Sequence, residues 1–133
     1  MRAIYAAYER GKPEPPAWYD QNYSVRLRKL VDADQKEAQA NGDAGKFDWD
    51  PIINGQDWKL SGLKVTLVSK SDDSAIVEAA FNNLGSKQLM RFSLVRENDK
   101  WAIDDIQALN KPRWSMSKIL EGAPDAFPDE KTK

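Results

Sequence analysis

The residues of this chain best suited to chemistry lie in the stretch Lys46-Phe-Asp-Trp-Asp-Pro-Ile-Ile-Asn-Gly-Gln-Asp-Trp58 and at Asp105. The stretch packs three acids, two tryptophans, a proline and a glycine into thirteen residues, a mix that describes a shaped loop rather than a plain linker. Asp48, Asp50 and Asp57 offer the oxygen ligands that a hard cation such as Ca²⁺ takes from a tight loop. The match stops there. Pro51 follows Asp50 at once, Gly55 is out of step with an EF-hand, and Lys59 stands where the bidentate Glu belongs. The expectation is a loop without metal, its carboxylates accepting hydrogen bonds from backbone N–H groups.

Asp105 is the weak candidate for a catalytic group. It closes Lys100-Trp-Ala-Ile-Asp-Asp-Ile106, and strict alternation along a strand puts it on the same face as Trp101 and Ile103, the face that should look into the core. A carboxylate in a dry pocket holds its proton more tightly than in water, which is the profile of a general base. A single bulge in the strand would turn Asp105 to solvent or onto a backbone N–H instead.

The third candidate feature is aromatic. Tyr5, Tyr8, Trp18, Tyr19, Tyr23, Trp49, Trp58 and Trp114 lie outside the expected strands. Such side chains build amphipathic binding surfaces, or they plug a core. Tyr5, Tyr8 and Trp58 read best as core or plug. Trp18, Tyr19, Trp49 and Trp114 divide evenly between the two roles. The expected binding site is a pocket near Tyr5, Tyr8, Trp58 and Asp105, floored by Phe92 and Trp101, with Trp49 and Asp57 contributed by the loop.

Composition narrows the chemistry. The chain has neither cysteine nor histidine, so thiol catalysis, disulfides and the commonest general base are excluded, along with Ser-His and Cys-His pairs. No Gly-rich phosphate loop is present, and no cofactor is expected. A net charge of −1 with mixed signs gives no basic face for nucleic acid. The one tight basic cluster, Arg26, Arg28 and Lys29, sits on an expected helix and reads as its solvated side. No apolar run reaches the ~20 residues of a membrane span. Met1-Arg-Ala-Ile-Tyr5 runs directly into a helical pattern, the start expected of a chain trimmed of an export leader.

The elements that must position these residues are legible in order. Ile4, Tyr5 and Tyr8 share a helical face that Gly11 ends, and Lys12-Pro-Glu-Pro-Pro16 is an extended connector. Ser24 caps a second helix carrying Leu27, Leu30, Val31, Asp34 and Ala38, stopped at Asn41-Gly42. Asp34 interrupts the apolar stripe, so the far end of the stripe is expected to reach solvent. Four strands then form an antiparallel meander through turns at Ser71–Ser74, Asn82–Gly85 and Asn98-Asp99. The expected buried face is Leu63, Val65, Leu67, Val77, Ala79, Phe81, Met90, Phe92, Leu94, Trp101 and Ile103. Ser115 opens a short helix that Gly122 closes. Residues 1–122 are expected to form one domain, and residues 123–133 a frayed tail.

Helices covering one face of a meander make an α+β layer arrangement, here a half-open cone around a pocket. The order of elements, with Asp48-Trp-Asp-Pro51, Gln56-Asp57 and Trp101-Ala-Ile-Asp-Asp-Ile106, resembles the DUF3828 family of bacterial proteins over about residues 1–120. That resemblance implies a cystatin-like, NTF2-like fold and an exported, periplasmic origin, with a cytoplasmic location left open. It implies no reaction. Three functions are expected in this order. The first is a non-catalytic module that binds a small apolar ligand, a peptide or a protein partner, as monomer or homodimer. The second is a small isomerase or dehydratase with Asp105 or Asp57 as base. The third is an immunity or inhibitor protein that blocks a toxin by contact.

Overall fold

The computed structural model describes Tyr5 and residues 22–42, 51–55, 59–110, 113–123 and 126. Tyr8, Trp18, Tyr19, Asp48, Trp49, Asp50, Asp57 and Trp58 lie outside the described residues, so the expectations for the acidic loop and for Tyr8 rest on the sequence alone.

Helix α1 runs Val25–Asn41. Ser24 caps it, its Oγ accepting the Leu27 N–H, and Gly42 ends it in the left-handed region that costs glycine nothing. Its buried stripe is Leu27, Val31, Asp34 and Ala38. One expectation is corrected here. The far end of the stripe does not reach solvent: Asp34 and Ala38 are each only 5% exposed, on the same helical face as Val31. Leu30, half-buried, packs against the core as expected.

The sheet has five antiparallel strands in sequential order: β1 Leu60–Lys70, β2 Ser74–Asn83, β3 Ser86–Glu97, β4 Lys100–Ala108 and β5 Trp114–Ser115. The expected meander accounts for the first four. The two-residue β5, which pairs with Gln107 and Ala108 on the free side of β4, is too short to leave a periodic signal. Helix α2, Met116–Glu121, follows at once, capped by Ser115 and closed by Gly122. The architecture is α+β, with both helices gathered against β4.

β2 alternates without a break, its odd-numbered residues buried from Ala75 to Asn83. Those residues face the core with Met90 and Phe92 of β3 and Ile103, Ile106 and Ala108 of β4. Leu27 and Val31 of α1, Met116, Ile119 and Leu120 of α2, and Tyr5, Ile52 and Ile53 close the core from the other side. Leu67 was expected there and is instead 58% exposed. It lies near the end of β1, the outer strand, where a bulge at Val68 lifts the strand off the register and the described helices do not reach. Ala126, within the segment expected to fray, is buried against the core.

Candidate functional site

The most connected polar region among the described residues lies where the N-termini of α1 and α2 meet β4. Residues 22–24 run alongside β4 as a short parallel bridge, with Ile103 N donating to Asn22 O at 2.7 Å and Ser24 N donating to Ile103 O at 2.8 Å. Asn22 Nδ2 donates to Trp101 O at 2.7 Å. These bonds occupy the edge of β4 next to the stretch taken by β5.

β4 bulges at this point. Leu94 pairs with Ile103 and Ser93 with Asp105, so Asp104 is the extra residue. The consequence is a change of face. Ile106 and Ala108 join Ile103 on the core side, opposite Phe92 and Met90, while Asp105 falls opposite Ser93 on the other side. The expectation that Asp105 shares the face of Trp101 and Ile103 is corrected by this bulge.

The two carboxylates at the bulge have separate tasks. Asp104 Oδ1 accepts from Ser24 Oγ at 2.8 Å and from Arg26 Nε at 3.2 Å. Arg26 Nη2 also donates to the Asp104 carbonyl at 2.6 Å, and Nη1 lies 3.7 Å from Glu121 of α2. Partial burial works against the Arg26 charge, but the hydrogen bond to Asp104 and the negative charges of Asp104, Asp105 and Glu121 outweigh it and raise its pKa. Arg26, read from sequence as part of a solvated cluster, is thus a tie between α1, β4 and α2.

Asp105 serves α2. Its Oδ2 accepts from Ser115 Oγ at 2.7 Å, and its Oδ1 accepts from the N–H groups of Ser117 and Ile106, each at 2.9 Å. Ser115 Oγ in turn accepts the Lys118 N–H, so the strand carboxylate and the cap residue satisfy the exposed donors of the helix start together. A carboxylate has about four lone-pair positions, and three are used here.

The aromatic candidates that are described are packed. Tyr5 is fully buried, tilted against Phe81 at 5.2 Å and edge-on to Phe92 at 6.1 Å, and its hydroxyl donates to Ile52 O at 2.9 Å. Phe92 is fully buried as well. Both rings belong to the hydrophobic core. Trp114 is buried, and its Nε1 donates to Asn54 Oδ1 at 3.0 Å. Tyr23 is buried beneath the Arg28 guanidinium, 4.8 Å away. Trp101 is half-buried, with Lys70 Nζ 6.0 Å from its ring centre.

Two clefts are lined by described residues, and neither includes Tyr5, Phe92, Trp101 or Asp105. One, of about 300 Å³, lies on the outer side of the sheet among Gly62, Ala80, Asn82, Lys87, Leu89 and Asn110. The other, of about 180 Å³, lies beside β5 among Gln107, Leu109, Arg113, Trp114 and Lys118. Among the described residues no cluster of acids has the makings of a metal site. No described helix is long and apolar enough to cross a membrane.

β1 contributes a different kind of surface. It is the outer strand of the sheet, and Leu67 and Val68 expose 58% and 48% of their surface side by side. Sequence reasoning missed this because it counted Leu67 into the buried alternation. The doublet Leu67-Val68, two large apolar residues in succession, was the available signal that the alternation ends there. No family model matches the chain, and no curated protein or solved structure matches it.

Proposed function

We propose that this protein is a non-catalytic protein-interaction module that receives an extended strand of a partner at the edge of β1. The observation that carries the reading is the exposed Leu67-Val68 pair on a strand with no neighbour on one side among the described residues. An open edge offers backbone donors and acceptors for strand addition, and alternate side chains supply selectivity. The enzyme reading draws less support, since Asp105, one of its two candidate bases, is engaged by donors of Ser115, Ser117 and Ile106. An immunity or inhibitor protein would use the same edge, because it acts by contact alone.

The proposal includes the finer fold. Lys70 of β1 reaches the ring of Trp101 on β4 across two intervening strands, which supports a sheet curled in the manner of an NTF2-like cone. The DUF3828 resemblance and an exported location belong to the same proposal. The test is amide hydrogen exchange with a synthetic peptide of alternating Val and Thr. Strand addition predicts slower exchange at Val65 and Leu67. Slowing confined to other regions, or none at all, would count against it.

A further inference from the structure

We infer that the partner strand is β1 of a second copy of this chain, joined antiparallel about a two-fold axis at Val65; the inference rests on the strand-addition reading above.

The backbone is oriented for it. In the β1–β2 hairpin, Ser71 N donates to Ser74 O at 2.8 Å, so that pair is hydrogen-bonded. Antiparallel pairs alternate between bonded and non-bonded. Along β2, Ser74, Ile76, Glu78 and Ala80 therefore bond to β1, whereas Ala75, Val77 and Ala79 do not. The β1 partners of Val77 and Ala79 are Leu67 and Val65. Both turn their N–H and C=O groups away from β2, toward the side where no described residue pairs with β1.

The side chains select the register. Centring on Val65 places it opposite its own copy and brings Leu63, next to the irregularity at Ser61–Lys64, opposite Leu67 twice; Leu63 and Val65 both pack against the core. Lys64 then meets Thr66 in both halves, so the lysine nearest the axis faces no like charge. The neighbouring registers are worse. Centring on Lys64 sets that lysine against itself, and centring on Leu67 sets Lys64 against Lys70 in both halves. Centring on Thr66 keeps Val65 opposite Leu67 twice but sets Leu63 opposite Ser69 in both halves. The two lysines thus disfavour the registers centred on Lys64 and Leu67, and the leucine pairs favour Val65 over Thr66 as the centre. A two-fold contact of this kind is closed, so it stops at the dimer.

The test uses the whole chain. Sedimentation at about 100 μM, a concentration suited to a micromolar association, should give twice the 15.1 kDa chain mass. Leu67→Lys, at an exposed position, should weaken association at least about tenfold with an unchanged circular dichroism spectrum. Val65→Pro should do the same, since its N–H points away from β2 and an edge strand tolerates proline there; if that variant does not fold, Leu67→Lys carries the test. The chain has no cysteine, so Val65→Cys introduces a single thiol, which should oxidise to a disulfide-linked dimer while Ser93→Cys, on β3, should not. A monomer at that concentration, or a dimer unaffected by Leu67→Lys, overturns the inference. The strand-addition reading is judged separately. A monomer whose Val65 and Leu67 amides are protected by the Val–Thr peptide refutes only the self-partner, and a monomer without protection refutes both.

Discussion

Asp105 accepts the backbone N–H of Ser117 at 2.9 Å across twelve positions of sequence, so a side chain on β4 holds the first turn of α2. Its neighbour Asp104 does the equivalent for α1 through Ser24 and Arg26. One bulge therefore sets the position of both helices. Asp105→Ala should cost about 1–3 kcal/mol, the range for buried donors left without an acceptor. Urea melts would measure it, and a loss below ~0.5 kcal/mol would mean that α2 is held by its apolar face alone.

Ser24 and Arg26 should differ in weight although both contact Asp104. Ser24 is buried and caps the helix, so Ser24→Ala should cost about 0.5–2 kcal/mol. The Arg26 side chain is nearly half exposed, and a double-mutant cycle with Asp104 should give a coupling under about 1 kcal/mol that shrinks in high salt. The sign of its pH dependence follows from its raised pKa. The stabilisation is fully present below the ordinary arginine value and is lost only as pH climbs through the raised one, so alkaline titration within the working range should leave the coupling intact.

Leu27→Ala should cost about 2–5 kcal/mol, as for a fully buried leucine. Leu30→Ala should cost clearly less, because that side chain lies at the rim of the core. Equal losses in denaturant melts would show that the two positions are packed alike.

Leu84 occupies the first position of the β2–β3 turn with φ 53°, followed by Gly85 with φ 84°. Both central residues of this two-residue turn are left-handed, an arrangement that favours Asn-Gly. Leucine gains nothing there, being 62% exposed. Leu84→Asn should raise stability by about 0.5–1 kcal/mol. An unchanged or lowered melting temperature would contradict this.

Much of the fold was legible because alternation and caps are local signals. Ser24, Gly42, Ser115 and Gly122 mark their helix ends, and Asn98-Asp99 marks its turn with φ of 51° and 63°. The site was harder to read, because a bulge changes everything downstream of it. The clue was present in β4: its large apolar residues are odd-numbered at Trp101 and Ile103 and even-numbered at Ile106, and the switch falls on the Asp104-Asp105 doublet. Alternation read from Trp101 alone carried Asp105 to the wrong side. The burial of Asp34 left no such trace, since a charged residue on an apolar stripe reads as an interruption until its neighbours are known.

The bond between Ser24 and Asp104 joins residues 80 positions apart. On a growing chain the first turn of α1 emerges long before the strand that holds it, whereas each hairpin of the sheet has its partner nearby in sequence. Contacts between distant residues carry a greater closure entropy and form late. Assembly should therefore begin in the meander, with α1 docking onto it near the end. Damage to the Ser24–Asp104 contact would then show itself as faster unfolding rather than slower folding.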